Sequence, residues 1–161
     1  MRQARPLKRA PARLLLQSAG ALVSGALLFL GGCADSPARA GPDVLELDSS
    51  RIELPDSVRL VVVHLDRARP GEIEPLRASL RVGDIVRFEA DDGAGHAIAF
   101  DGALLASDVR GFLEATGQLR SPPLVSRGNA WVVSLAHAPP GEYPYTCVTH
   151  NARGAIGVSA R

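Results

Sequence analysis

The sequence predicts an all-β domain, folded as a sandwich or a barrel, with one short helix. Short runs rich in β-branched and aromatic residues recur between residues 59 and 160, and Gly, Pro and Asp turns separate them. Within several runs the apolar residues alternate with a period of two, which is the spacing of strands. Many short strands at such intervals are typical of sandwiches and barrels.

Seven strands and one helix are predicted in chain order. The second and third strands flank a Val82-Gly83-Asp84 turn. The helix is predicted over residues 107–117, where Ser107 can cap its start and Gly117 can end it, although Gly111 weakens its interior. The predicted strands span residues 59–65, 79–82, 84–90, 96–100, 130–135, 142–147 and 157–160.

Strand parity predicts which side chains point into the core. Three residues on each of three strands share one face: His96, Ile98 and Phe100; Trp131, Val133 and Leu135; Tyr143, Tyr145 and Cys147. His96 opens its strand and Cys147 ends its own. We therefore expect these two potential ligands to meet at one end of the domain.

The N-terminus has the pattern of a signal peptide of lipoprotein type. Residues 1–13 carry five basic residues and no acid, residues 14–30 are uncharged and largely apolar, and Leu30-Gly31-Gly32-Cys33 follows. This ending resembles the lipobox of bacterial lipoproteins, in which the cysteine is acylated after cleavage. We expect residues 1–32 to be removed and Cys33 to carry lipid. A single transmembrane anchor is the alternative, because the apolar run is borderline in length for spanning a bilayer.

The expected processing defines location, domains and charge. By the same resemblance, Ala34 after the lipidated cysteine predicts sorting to the outer membrane, facing the periplasm. Residues 33–55 are interpreted as the lipidated cysteine and a flexible linker, with 44–55 a poorly defined lead-in, and 56–161 as one monomeric domain. Cleavage leaves 13 of the 18 basic residues and all 17 acids, so the mature net charge is −4. An acidic chain does not indicate nucleic-acid binding.

Cys147 is predicted to be available for chemistry. Once Cys33 is lipidated, Cys147 has no disulfide partner, and an unpaired cysteine in an exported protein indicates an intermolecular bond, a reactive thiol or a ligand. The alternative is that Cys147 is a buried, inert thiol with only a packing role. His150 follows three residues later, and His96 lies on an earlier strand. The remaining polar candidates are interpreted as surface, turn or loop residues: His64, His137, Asp91, Asp92 and Asp101. No acid pair or Ser/His/Asp order indicates an enzyme.

Cys147-x2-His150-x3-Gly154, preceded by Pro-Gly-Glu-Tyr at 140–143 and by Gly95-His96 on the earlier strand, resembles the metal loop of cupredoxins, most closely plastocyanin. The resemblance covers residues 58–160. It implies a Greek-key β sandwich that binds one copper ion, cycling between Cu(I) and Cu(II). It also implies His96, Cys147 and His150 as ligands, with His150 nearest to solvent. Two His and one Cys with weak axial donors form the blue-copper arrangement.

The chain departs from this family at the axial ligand. Plastocyanin spacing places the axial methionine at Ala155, which cannot ligate, and the only methionine is Met1. The carbonyl oxygen of Gly95 is expected as a weak axial donor, by resemblance to azurin. If Ile156 and its neighbours keep the axial space dry, a three-coordinate site favours Cu(I) and the potential rises. If water or another ligand enters, the geometry becomes tetragonal and the potential falls. We favour the dry site.

Three functions fit these patterns. The first is a lipid-tethered, mononuclear copper electron-transfer protein, which serves a redox partner protein and is not an enzyme. The second is a periplasmic copper-binding or delivery protein that uses an open axial position. The third is a metal-free interaction domain of the same fold. Zinc can occupy the same ligands.

Overall fold

A computed structural model describes residues 43–47, 50–69 and 71–161. The expected signal peptide, Cys33 and the first part of the linker lie outside the described residues. Within these ranges no helix is long and apolar enough to cross a membrane. The elements are β1 (Val44–Leu47), β2 (Ser50–Glu53), β3 (Leu60–Leu65), β4 (Ile73–Glu74), β5 (Arg77–Arg81), β6 (Ile85–Ala90), β7 (Ile98–Phe100), α1 (Ser107–Ala115), β8 (Ala130–Ser134), β9 (Gly141–Cys147) and β10 (Ala152–Ser159).

Two four-stranded sheets form a β sandwich, as predicted. One sheet has the order β5-β10-β9-β7 and the other the order β4-β3-β6-β8, while β1 and β2 form a separate hairpin. The pairs β5–β10 and β3–β6 are parallel, and the other pairs are antiparallel. From β4 to β9 the chain crosses from one sheet to the other at each step. Strands distant in sequence therefore become neighbours.

The core lies between the sheets, where inward residues of both meet. Strand β6 alternates half-buried and buried residues along its whole length, as the predicted period of two requires. Phe88 of β6 and Tyr145 of β9 join the layers by an edge-to-face contact at 5.0 Å. All the residues predicted to point inward are buried, except Trp131, which is half-buried and packs against Phe88.

Helix α1 is shorter than predicted, and its start differs. The N-cap is Ala106, in an extended conformation without a side-chain cap, so Ser107 is the first helical residue and not the cap. The C-terminal end follows the prediction. Gly117 takes a φ of +68°, and the N–H groups of Gly117 and Gln118 bond back to the carbonyls of Glu114 and Leu113. These two bonds form a Schellman motif.

Strands β1 and β2 correct the interpretation of 44–55 as a poorly defined lead-in, because they pair as the antiparallel β1–β2 hairpin. Contacts outside the hairpin fix it. The Leu60 N–H donates to Asp43 Oδ2 at 2.6 Å, and the Arg87 guanidinium donates to the Glu46 carbonyl at 2.9 Å. Such contacts leave no local pattern in the sequence. Three strand starts also differ by two residues or more, because β5 begins at Arg77, β7 at Ile98 and β10 at Ala152, and β4 was not predicted.

Candidate metal centre

Cys147 and His150 are positioned by a tight turn at the end of β9. The Cys147 carbonyl accepts hydrogen bonds from the N–H of Asn151 at 2.8 Å and of His150 at 3.3 Å. Asn151 has a φ of +61°, a left-handed conformation that asparagine tolerates, and it returns the chain into β10. The last pair of the two strands is Cys147 opposite Ala152. The turn therefore holds the thiol and the imidazole at the same end of the sandwich.

His96 reaches the same end from the other side of β9. It lies just before β7 and forms a two-way backbone bridge with Leu124, with N···O distances of 2.9 and 2.8 Å. The Val148 N–H donates to the Ala97 carbonyl at 2.8 Å, which ties the two ligand loops together. His96 is only 2% exposed, although its side chain is polar. A polar side chain that is this deeply buried needs bonding partners, so both ring nitrogens of His96 require a hydrogen bond or a metal ion.

The potential ligand atoms of the three predicted ligands lie close together. Cys147 Sγ lies 3.7 Å from His96 Nδ1 and 3.7 Å from His150 Nδ1, and the potential ligand atoms all lie within 4.8 Å of one another. The two imidazole rings meet edge to face at 4.9 Å. With metal–sulfur and metal–nitrogen bonds of about 2.3 and 2.0 Å in a trigonal array, sulfur and nitrogen would be about 3.7 Å apart. The residues present thus fit a single ion.

Asp92 holds His96 in the orientation that the cluster needs. The sequence analysis interpreted Asp92 as a turn or surface residue and so missed this role. Its Oδ1 lies 2.8 Å from His96 Nε2, so Nδ1 is left to face Cys147. The aspartate also accepts bonds from the N–H groups of Ala94 and Arg67. Desolvation opposes its ionisation, but these backbone bonds and the bond to His96 prevail and lower the pKa of Asp92 to about 2. A carboxylate on the far nitrogen of a ligating histidine fixes the tautomer and ring orientation.

Glu72 is a second acidic neighbour that the sequence pattern did not reveal. Its Oε2 lies 3.5 Å from His150 Nδ1, although the residue belongs to the turn between β3 and β4. Nothing in the spacing of the sequence connects positions 72 and 150. The local feature that distinguishes Glu72 is its backbone conformation, because its φ is +58°.

The structure shows where the two predicted axial residues, Ala155 and Gly95, lie. Ala155 pairs with Pro144, three pairs along the strands from Cys147, and Ile156 beside it is fully buried in the core. Because neighbours on a strand point to opposite faces, Ala155 points away from the core. The assignment of Ala155 to the axial position stays a prediction. Gly95 has a φ of +77°, which turns the chain into His96, and the role of its carbonyl oxygen stays a prediction.

The other histidines lie outside the cluster. His64 Nδ1 is 3.0 Å from Asp91 Oδ1, and Asp91 also forms an ion pair with Arg69. His137 has a left-handed φ of +63° and is exposed in the loop before β9. Among the described residues, the only set of three or more potential metal ligands that converges is His96, Cys147 and His150.

The chain is a β sandwich with a His/Cys/His cluster at one end, in which His96 and Cys147 are buried and His150 is half-buried. Two His and one Cys are the donor set of blue-copper sites. The predicted resemblance is confirmed for the sandwich and for the convergence of these three side chains. No protein-family model and no curated protein matches the sequence.

Solved structures with a similar backbone include cupredoxins. An oxidised mutant of amicyanin matches with a TM-score of 0.46 and 20% identity, over 62% of this chain and 81% of that chain. A Cu(I) mutant of amicyanin matches with a TM-score of 0.45 and 21% identity, over 62% and 82%. A purple cupredoxin from Nitrosopumilus maritimus matches with a TM-score of 0.45 and 21% identity, over 61% and 98%.

Proposed function

We propose that the protein binds one copper ion through His96, Cys147 and His150 and carries single electrons. The observation that carries this proposal is the preassembled cluster, in which both Sγ–Nδ1 distances are 3.7 Å. Copper, when bound, supplies the Cu(I)/Cu(II) couple. The thiolate favours Cu(I) and imidazole accepts both states, so the donor set suits a centre that changes oxidation state.

The surroundings of the ligands support electron transfer. The side chain of His96 is 1% exposed and that of His150 is 9% exposed, so His150 is the route toward solvent. Backbone hydrogen bonds fix the turn at Cys147 and the bridge at His96. A rigid site limits rearrangement when the oxidation state changes. The protein would serve a redox partner protein at the His150 end and would not turn over a substrate.

The cellular setting is part of the proposal. The lipobox-like ending at Cys33 supports an exported protein held by lipid at the outer membrane, on the periplasmic side. One acyl chain anchors a protein only marginally, whereas several chains anchor it stably. A tether would keep the carrier close to membrane-bound partners and leave the copper end free to face them.

Copper delivery is the second candidate function. The observation that favours it is the lack of a thioether, since Met1 is the only methionine in the chain. A site without that ligand can expose copper to an incoming acceptor. The metal-free interaction domain has no comparable support, because it leaves the converging thiol and imidazoles without a use.

Voltammetry of the copper-loaded protein separates these functions. An electron carrier gives a reversible one-electron wave and keeps its copper when a Cu(I) chelator is added. A delivery protein loses Cu(I) to the same chelator within the time of the experiment. A protein that binds neither copper nor zinc would contradict both proposals, and zinc-loaded protein is the redox-silent control.

A further inference from the structure

We propose that Glu72 is a fourth protein ligand, which donates a carboxylate oxygen to the copper ion beside His150. This inference rests on the proposed function, since it concerns the same site. It replaces the expected dry axial space with a charged oxygen donor. Three observations carry it: the position of the carboxylate, the lack of a hydrogen-bond partner for its buried oxygen, and the backbone that presents it.

The position comes first. His150 Nδ1 faces two groups at nearly equal range, Cys147 Sγ at 3.7 Å and Glu72 Oε2 at 3.5 Å. The carboxylate lies beside the three-atom cluster and not within it. An ion held by Nδ1 and Sγ would therefore have the carboxylate as a close anionic neighbour.

The second observation is that Glu72 Oε2 is buried and has no hydrogen-bond partner among the described residues. Its acidic neighbours are compensated differently, because Asp66, Glu74 and Asp91 all pair with Arg69. Within the described residues, the ion pairs of Glu72 include no arginine. A buried carboxylate oxygen is costly without a partner. Binding of copper at Nδ1 also removes any proton that His150 could donate there, so the cation becomes the natural partner.

The third observation is the backbone. Glu72 holds a left-handed φ of +58°, which is uncommon for residues other than Gly, Asn and Asp. Its carbonyl accepts from the Asp66 N–H at 3.0 Å, and its N–H donates to the Arg69 carbonyl at 3.1 Å. Local strain of this kind collects at ligand sites. The turn therefore fixes the Glu72 backbone on both sides and leaves the side chain directed at His150.

The chemistry of the donor predicts a distinct copper site. Carboxylate oxygen is a hard ligand, and nitrogen and oxygen donors in a tetragonal arrangement favour Cu(II). With Glu72 bound, the oxidised state is stabilised and the reduction potential falls. Without it, the three remaining ligands favour Cu(I). Glu72 would thus set the potential of the site.

The test compares Glu72→Ala and Glu72→Gln with Glu74→Ala, a matched control two residues later in β4 whose side chain is 71% exposed. Cu(II) and Cu(I) affinities are measured by competition with chelators, together with EPR and visible spectra of the Cu(II) forms. For Glu72→Ala we expect Cu(II) affinity to fall at least about tenfold relative to Cu(I) affinity, which is the low end for losing a group that supports a metal site. The EPR hyperfine splitting should change, and Glu72→Gln should fall between.

Thermal unfolding of the metal-free variants shows whether each one folds. If Glu72 only pairs with His150, Glu72→Ala lowers stability but leaves the spectra and the affinity ratio equal to those of wild type and Glu74→Ala, and the proposal is overturned. Failure of the proposed function gives a different result. In that case wild-type protein binds no copper, or Cys147→Ala binds copper as wild type does.

Discussion

At the scale of single residues, buried polar atoms differ in whether they have a hydrogen-bond partner. His96 is held by Asp92 on one nitrogen and faces Cys147 with the other. In the core nearby, the hydroxyl of Tyr143 donates to the Pro139 carbonyl at 2.7 Å, whereas the buried hydroxyl of Tyr145 has no partner among the described residues. From these differences we predict the effects of substitutions at Asp92, Tyr143 and Tyr145.

Asp92→Ala is expected to weaken copper binding by about 10–100-fold, because a carboxylate that orients a ligating histidine has an effect of that size. Chelator competition measures the change. Asp91→Ala is the matched control, since Asp91 lies 3.0 Å from His64, which is not a ligand. Equal losses in the two variants would show that the effect is a general loosening of the loop.

The two buried tyrosines should respond differently to removal of the hydroxyl. Tyr143→Phe is expected to lose about 1 kcal/mol of unfolding free energy, because it breaks a hydrogen bond and leaves the Pro139 carbonyl with one partner fewer. Tyr145→Phe should be neutral or stabilising, because its buried hydroxyl has no partner to lose. Burial raises the pKa of both, that of Tyr143 to about 12. Denaturant unfolding of the two variants is the measurement, and a larger loss for Tyr145→Phe would contradict the account.

At the scale of elements, the β9–β10 pair carries the metal loop, and its close packing against Tyr145 depends on Gly154. Gly154 pairs with Tyr145, and a Cβ built on the glycine would lie 2.4 Å from the tyrosine hydroxyl. The absence of a side chain lets the Tyr145 ring lie against β10. Helix α1 contains a contrasting glycine, Gly111, with open space around its Cβ position.

Gly154→Ala is expected to destabilise the protein by about 1–3 kcal/mol, the usual cost of forcing extra volume into a packed region. Gly111→Ala is the control, and it should stabilise the helix by about 0.5–1 kcal/mol because alanine has the higher helix propensity. Thermal unfolding of both variants checks the pair. A neutral Gly154→Ala would mean that Tyr145 moves aside without cost.

The elements also show what the sequence can predict. Period-two alternation placed His96 and Cys147 inward correctly, because the pleat of a strand fixes the direction of its side chains. The predicted N-cap of α1 was wrong, since Ser107 can cap a helix but Ala106 occupies that position. The β1–β2 hairpin was missed because bonds to Leu60 and Arg87 hold it. Asp92 and Glu72 were missed as partners of the ligands for the same reason, since through-space contacts leave no spacing in the sequence.

At the scale of the whole molecule, we expect a carrier that is held at a membrane by lipid on Cys33. Cys33→Ser, expressed in a Gram-negative host, is expected to move the protein from the outer-membrane fraction to the soluble periplasm without changing its copper spectrum. Ala34→Asp should redirect the lipidated protein to the inner membrane. Fractionation with metabolic labelling by a radioactive fatty acid measures both. Labelling of Cys33→Ser as strong as that of wild type would contradict lipidation at Cys33.

The central claim is that His96, Cys147 and His150 bind one copper ion. Its most direct test is the titration of metal-free wild type and Cys147→Ala with Cu(II), following the visible spectrum and the bound metal. We expect one copper per wild-type chain with an intense thiolate-to-copper band, and loss of that band with much weaker binding in Cys147→Ala. Equal copper binding by the two proteins would contradict the claim.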